Sequence, residues 1–329
     1  MKIVILDGHA LNPGDLSWQG FEKLGDVTCY PRTPDEKIVE RIGDAEILIV
    51  NKKTIDGGIM DKCPALRYIG VLATGYNIID TEAARKRNIT VTNIPSYSTA
   101  AVSQAVFAFL LEFANGVHEH NQSVMSGDWC KAQDFCYWTH PMTELNGKTL
   151  GIAGFGSIGQ QVAKTALAFG MNVIAFTRSA EKIASFNEKY RTLKDDGTLP
   201  VKPVTKDELF MQSDFLTLHC PLTEQTKSFV NAQTLALMKP EAVLINTSRG
   251  PVVDEFAVRK ALDENKLGGF ACDVISAEPM RADNVLLGAP RCIITPHVAW
   301  AARETRQRLM DIAVSNLKAF LDGKPQNTV

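Results

Sequence analysis

Thr149-Leu-Gly-Ile-Ala-Gly154-Phe-Gly156-Ser157-Ile158-Gly159-Gln-Gln-Val-Ala163 is the stretch on which the fold turns. Residues 150–153 form a short apolar run of the kind buried on both faces of a parallel sheet. The run leads straight into Gly154-x-Gly156-x-x-Gly159. Ile158, Val162, Ala166 and Phe169 then recur at helical spacing up to Gly170, where a helix-ending glycine belongs. Residues 171–176 read as a second strand. Each glycine has its own reason. The first permits a tight turn, the second lets the backbone approach a pyrophosphate, and the third lets the helix pack closely on the strand. The start of the helix then turns unpaired N–H groups toward phosphate oxygens. A glycine-rich turn of some other α/β protein is the plainer reading, but strand, glycines, helix and strand in this order predict a dinucleotide-binding unit.

Working outward, residues 179–205 are polar and predict a helix followed by an exposed hairpin or loop, with a turn at Lys194-Asp-Asp-Gly197. Strands are expected at 215–219, 242–246, 269–273 and 292–295, separated by helices near 206–213, 231–238 and 254–264. Upstream, strands at 3–6, 46–50, 68–71 and 90–93 alternate with helices around 16–24, 35–43 and 80–87, which predicts a second parallel sheet. Between the two, Ser98 or Thr99 can cap a helix over 100–112, with Val102, Val106, Phe109, Leu110 and Phe113 on its apolar face. Residues 114–146 turn polar and aromatic, with Trp129, Phe135, Tyr137 and Trp138. They read either as an arm that packs on a partner subunit or as a loop packed on their own domain. The amphipathic helix 303–321 most simply returns to the first domain. The expected fold class is α/β, with two doubly wound parallel-sheet domains: 1–97 plus 297–329, and 98–296.

Composition narrows the function. A chain of 329 residues is long enough for two domains. A net charge of −2 gives no electrostatic case for nucleic acid or an anionic membrane. No apolar run approaches the roughly 18 residues of a membrane span, and Met1-Lys-Ile-Val-Ile-Leu-Asp7 has no signal-peptide pattern. Seven scattered cysteines without a CxxC pair fit reduced thiols, and neither a disulfide frame nor a metal site is expected. The expectation is a cytoplasmic protein without a metal.

Three polar groups fall just beyond strands of the second sheet: Arg249 after 242–246, Asp273 and Glu278 after 269–273, and His297 after 292–295. Alone, each has an ordinary structural reading as a surface ion pair or a satisfied histidine. Together, beside a nicotinamide pocket, they are what reduction of a 2-oxoacid needs. A cation meets the carboxylate, an imidazole supplies a proton, and an acid holds the imidazole protonated and oriented. In the first domain, the turn Leu72-Ala73-Thr74-Gly75-Tyr76-Asn77 follows a strand, where open sheets bind ligands, or is a plain connection. One position departs from the NAD pattern. The end of the 171–176 strand carries Thr177-Arg178-Ser179 instead of an acid. Threonine does not repel a 2′-phosphate, and Arg178 and Ser179 can bind one, so NADP(H) is expected over NAD(H). The alternative is that Arg178 points to solvent or stacks on adenine.

The glycine motif, His219-Cys220-Pro221-Leu-Thr223 with Thr226, Ile245-Asn-Thr247-Ser248-Arg249-Gly, Asp273-Val-x-x-x-Glu278-Pro and Thr295-Pro-His297 occur in order along the chain. With them, the chain resembles the D-isomer-specific 2-hydroxyacid dehydrogenases over essentially its whole length. The resemblance implies a flavodoxin-like substrate domain and a Rossmann-like cofactor domain with a cleft between them, and a homodimer joined through an arm at 100–146. It implies Arg249 on the substrate carboxylate and carbonyl, His297 as general acid/base, and Glu278 orienting it. It further implies cofactor contacts from Gly154, Gly156, Ser157, Ile158 and Gly159, and from Thr177, Arg178 and Ser179. Cys220, Pro221 and Thr226, then Thr247, Ser248 and Arg249, and finally Asp273 and His297, complete the implied cofactor contacts. Ala73, Thr74 and Gly75 would hold the substrate from the first domain, and Trp138 would reach the neighbouring subunit's site. The 72–77 turn, the 98–104 helix start and the Phe-Cys-Tyr-Trp138 segment look most like the glycerate dehydrogenase/hydroxypyruvate reductase branch. That branch implies hydroxypyruvate or glyoxylate ahead of pyruvate. A D-lactate-type dehydrogenase and a dinucleotide-sensing corepressor are the other readings.

Overall fold

The computed structural model describes residues 1–193 and 197–329. The chain forms two compact units, Met1–Ser98 with Trp300–Val329, and Thr99–Ala299. Residues 297–299, expected with the first domain, belong to the second unit because buried Asp273 hydrogen-bonds the segment that carries them. Ser98, expected with the second, belongs to the first. Lys194, Asp195 and Asp196 of the expected turn lie outside the described residues.

In the first unit, β1 (Lys2–Ile5), β2 (Asp26–Cys29), β3 (Ile47–Val50), β4 (Tyr68–Val71) and β5 (Thr90–Thr92) form a wholly parallel sheet in the order β2-β1-β3-β4-β5. Side chains alternate along each strand, so every strand feeds two cores. Val4, Leu48, Val50, Ile69 and Val71 pack with Ile38, Ile42 and Met60 on one face. Ile3, Ile5, Ile47, Ile49 and Tyr68 pack with Leu309, Met310, Ala313 and Leu317 of the helix Arg303–Leu321 on the other. That helix does return to the first sheet. Strand β2 escapes the sequence reading because it is an edge strand, alternately exposed and half-buried, with no apolar run to announce it. Arg306, buried at 8% exposure, fixes the 11–15 loop to the last helix through two hydrogen bonds to the Asp15 carboxylate (2.8 and 2.6 Å) and one to the Leu11 carbonyl (2.9 Å).

The second unit carries seven parallel strands: β6 (Thr149–Ala153), β7 (Asn172–Phe176), β8 (Lys202–Pro203), β9 (Phe215–Leu218), β10 (Val243–Asn246), β11 (Gly269–Cys272) and β12 (Cys292–Ile294). Their order is β12-β11-β10-β9-β6-β7-β8. The helices Thr99–Asn115 and Ser157–Ala168 cover one face, burying Phe109, Leu110, Val162 and Ala166 on Leu150 and Ile152. The helices Lys206–Gln212 and Glu255–Asp263 cover the other, with Leu209, Phe210, Val258 and Leu262 on Leu216, Leu218 and Leu244. The helix expected over 231–238 is a short piece, Ala232–Leu235, and β8 is a two-residue edge strand too short to read from sequence. Among the described residues, no single helix is long and apolar enough to cross a membrane.

Candidate active site

The glycine loop leaves β6 where the strand order reverses between β9 and β6, the crevice in which open α/β sheets bind ligands. Gly154 has φ +95, and its N–H donates to the Phe176 carbonyl (2.9 Å), tying the loop to the end of β7. A Cβ there would lie 2.7 Å from the Cys220 nitrogen and 2.8 Å from the His219 carbonyl carbon. A Cβ on Gly159 would lie 2.3 Å from the Gly154 oxygen. Gly156 is different: a Cβ there would meet no atom within 4 Å. The loop is therefore packed at its two ends and open at its middle glycine, beside the N-terminus of the helix Ser157–Ala168, where Ser157 and Ile158 make the first turn. That is an opening for a pyrophosphate.

The other expected cofactor contacts divide. Among the described residues Arg178 makes no hydrogen bond or ion pair, while the Thr177 hydroxyl accepts the Ser179 N–H (3.2 Å). Thr247 lies beyond β10, and its buried hydroxyl has no partner, so a donor and acceptor stand ready for a ligand. By contrast, the Ser248 hydroxyl donates to Asn246 Oδ1 (2.8 Å), and Thr226 folds its own turn, donating to the Pro221 carbonyl (2.6 Å) and accepting the Thr223 N–H (2.7 Å). Cys220 is half-buried, its thiol pushed up by burial. The open glycine, the helix start and the orphaned Thr247 hydroxyl fit a dinucleotide.

Strands β10, β11 and β12 are neighbours, so the residues beyond them share one end of the sheet. Gly250 admits the close approach of two of these loops: a Cβ there would lie 1.9 Å from the Ile275 carbonyl carbon. Arg249 is thereby set beside the 275–278 segment, one guanidinium nitrogen on the Ser248 carbonyl (2.7 Å). Glu278 Oε2 accepts from His297 Nδ1 at 2.7 Å, and Glu278 Oε1 accepts the Ile275 N–H at 3.3 Å. A carboxylate only accepts, so the imidazole carries its proton on Nδ1 in this pair. His297 itself sits at φ +55, a left-handed conformation that costs a non-glycine residue about 1–2 kcal/mol.

Asp273 holds it there. Its Oδ1 accepts the Thr295 hydroxyl (2.6 Å) and the Val298 N–H (2.8 Å), and its Oδ2 accepts the Ala299 N–H (2.8 Å). The Asp273 carboxylate, expected among the cofactor contacts, is 2% exposed and takes up the two successive N–H groups of the left-handed turn. Among the described residues no group of three His, Cys, Asp or Glu side chains could hold a metal ion.

In the first unit, the Ala73 carbonyl accepts the Ile94 N–H (3.0 Å), the Thr74 hydroxyl donates to the Ile94 carbonyl (2.7 Å), and the Thr74 carbonyl accepts from Asn93 (2.7 Å). The turn's carbonyls face its own unit, and the N–H groups of Thr74 and Gly75 make no hydrogen bond among the described residues. The 117–142 segment leaves Phe135 88% and Trp138 66% exposed. It is pinned by His120, whose Nδ1 meets the Gly116 carbonyl (2.8 Å) and whose Nε2 accepts the Thr139 N–H (3.3 Å). Sequence reasoning missed Asp7, Asn51 and the orphaned state of Thr247. Asp7 and Asn51 each fall just past an apolar run, the one signal that could have found them.

Residues 107–299 match the family described as D-isomer specific 2-hydroxyacid dehydrogenase, NAD binding domain. The chain is 46% identical to a hydroxypyruvate reductase of Blautia hydrogenotrophica, over all of this chain and 99% of that one. It is 38% identical to a glycerate dehydrogenase of Methylorubrum extorquens, over 100% and 98%. Among solved structures, the TT0316 protein of Thermus thermophilus superposes with a TM-score of 0.84 at 34% identity, covering both chains completely. With the glycine cradle, the Glu278–His297 pair and these full-length matches in hand, the chain belongs to the D-isomer-specific 2-hydroxyacid dehydrogenases, oxidoreductases that use a nicotinamide dinucleotide.

Proposed function

We propose that this enzyme reduces hydroxypyruvate or glyoxylate to the D-2-hydroxy acid, and runs the reverse oxidation, as a glycerate dehydrogenase/hydroxypyruvate reductase. The observation that carries the chemistry is the 2.7 Å pair of His297 and Glu278 at the same end of the sheet as the glycine cradle. The names of the two full-length relatives carry the substrate. Gly154–Gly159 would hold the reduced cofactor, which would supply a hydride for the substrate C2 carbon. Arg249 pairs with the substrate carboxylate and polarises the carbonyl. His297 Nε2 gives a proton to the carbonyl oxygen, so that hydride and proton together make the hydroxyl. Glu278, accepting from Nδ1, fixes the ring and its tautomer for the transfer from Nε2.

NADP(H) is the favoured cofactor, because Thr177 leaves no negative charge against a 2′-phosphate and Arg178 offers an uncommitted cation. The aromatic 117–142 segment is read as the arm of a cytoplasmic homodimer, carrying Trp138 to the neighbouring subunit's site. Its exposed Phe135 and Trp138 support that reading. A panel of 2-oxoacids at matched concentration tests the substrate: hydroxypyruvate or glyoxylate should give the highest kcat/KM. Pyruvate or a branched oxoacid leading the panel would instead support the D-lactate-type reading.

A further inference from the structure

The helix Glu255–Asp263 opens on a buried acid with no part in the reaction described above. An acidic first residue is usually a surface group that complements the helix dipole. Glu255 is instead 8% exposed, and both of its carboxylate oxygens reach the loop that follows β11. Oε1 accepts the Ser276 N–H at 2.6 Å, and Oε2 accepts the Asn284 side-chain N–H at 2.9 Å. The Asn284 amide is fixed end for end, because its Oδ1 accepts the Leu286 N–H at 2.9 Å and leaves its nitrogen for Glu255.

These bonds bracket Glu278. Upstream of it, the Ile275–Ser276 peptide is held at three points. The Ile275 N–H donates to Glu278 Oε1 (3.3 Å), and the Ser276 N–H donates to Glu255. Gly250 packs against the same peptide, since a Cβ there would lie 2.4 Å from the Ser276 nitrogen. Downstream, Asn284 ties the far end of the loop to the same Glu255 carboxylate. Glu278 lies between the two ties, and its Oε2 accepts from His297 Nδ1 at 2.7 Å.

We infer that Glu255 is a positioning residue for the reaction, holding the 275–284 loop so that the Glu278 carboxylate meets the imidazole; this rests on the acid–base role of the Glu278–His297 pair proposed above. A misplacement of about 1 Å caused by a change far from the chemistry can cost roughly 10²-fold in rate, so loosening this loop should be felt in kcat.

Glu255→Gln keeps the shape, but in either orientation its amide sets a donor against a donor, at Ser276 or at Asn284. Glu255→Gln combined with Asn284→Asp restores every bond. The glutamine oxygen takes the Ser276 N–H, its nitrogen donates to the aspartate, and the other aspartate oxygen takes the Leu286 N–H. Glu255→Asp keeps the charge at the helix start but withdraws it by one methylene, and it serves if the glutamine variant does not fold. The experiment measures kcat at saturating hydroxypyruvate and reduced cofactor, below the Tm of each variant, with cofactor Kd from fluorescence titration. Both single variants should lose about 10–100-fold in kcat with cofactor Kd within about twofold, and the paired exchange should return kcat to within about threefold of the wild type. In a Glu278→Ala background, Glu255→Gln should cost less than about twofold more, because the group it positions is gone. Full kcat in whichever Glu255 variants fold would overturn the inference. So would an undiminished loss in the Glu278→Ala background, or a paired exchange no better than Glu255→Gln, either of which would leave Glu255 a helix-end charge. If Glu278→Ala itself keeps the wild-type kcat, the acid–base reading fails and takes the inference with it.

Discussion

Gly154 and Gly156 stand two residues apart in one motif, yet an alanine should do opposite things at the two positions. At Gly156 the backbone is extended (φ −80, ψ −165) and a Cβ would touch no atom. Gly156→Ala therefore costs the fold nothing, and by restricting the unfolded chain it can add about 0.4–1 kcal/mol. The methyl group does, however, occupy the opening through which a pyrophosphate reaches the backbone. At Gly154 the left-handed φ of +95 alone costs an alanine about 1–2 kcal/mol. Contacts of 2.7 and 2.8 Å to backbone atoms of Cys220 and His219 add at least as much, since no side chain can swing away. The sum is about 3 kcal/mol, which for a unit of this size lowers Tm by roughly 6–12 °C. Thermal unfolding and fluorescence titration with NADPH and NADH separate the two effects. Gly156→Ala should keep its Tm while its cofactor Kd rises about 10–100-fold, a loss of roughly 1.4–2.8 kcal/mol. Gly154→Ala should lose Tm first. Unchanged cofactor affinity in Gly156→Ala would remove the glycine loop as the cofactor cradle.

Five further variants have expected outcomes. His297→Gln should lower kcat by roughly 10²–10⁴-fold with little change in cofactor Kd, and Glu278→Ala, which removes the acceptor of the Nδ1 proton, should lower kcat with cofactor Kd unchanged; an unaltered kcat would uncouple the acid from the imidazole. Thr177→Asp should abolish most of the NADPH over NADH preference in kcat/KM, and a wild type that prefers NADH would show that Arg178 binds no phosphate. Asp273→Asn turns one acceptor toward the Ala299 N–H into a donor, so about 1–3 kcal/mol of stability and most of kcat should go together; a variant losing neither would refute the role of Asp273 in holding His297. His219 is half-buried, and desolvation pushes its imidazole down to about 3. The folded state then binds fewer protons than the unfolded one, and stability is lost as pH falls below roughly 6.5, by about 1–2 kcal/mol at pH 5. His219→Gln should flatten that acid limb of the Tm curve, and parallel curves would count against it.

Much of the fold was legible because buried parallel strands must be continuous apolar runs, and those at 47–50, 68–71, 149–153 and 243–246 are unmistakable. Strands β2 and β8 were not, since an edge strand needs only one covered side and carries polar residues such as Asp26 and Lys202. The glycine motif and the order of Arg249, Glu278 and His297 were equally visible, because turn geometry and acid–base chemistry demand particular residue types. The direction in which a polar side chain spends its hydrogen bonds was invisible. Thr226, Thr247 and Ser248 are all small hydroxyl residues in strand-end loops. Two of them close their own turns and one is left without a partner, a difference set by local backbone path.

Asp273 and Asp7 show why that difference matters. Each is an acid just past a parallel strand, the position that reads from sequence as a ligand contact, and each is buried, at 2% and 8% exposure. Each accepts N–H groups from two successive residues on a neighbouring strand's loop: Val298 and Ala299 for Asp273, Asn51 and Lys52 for Asp7. A buried carboxylate is tolerable only when its lone pairs are taken up, and backbone N–H groups take them up without adding a second charge. The same bonds set the loop's course. In the second unit that loop carries His297 at φ +55, and in the first it carries Asn51 with an unpaired amide. A neutral substitute at either aspartate would keep the shape but lose the charge-assisted bonds, so the residue it positions should drift before the sheet melts. Each acid thus sets the course of the neighbouring loop and the place of the side chain that loop carries.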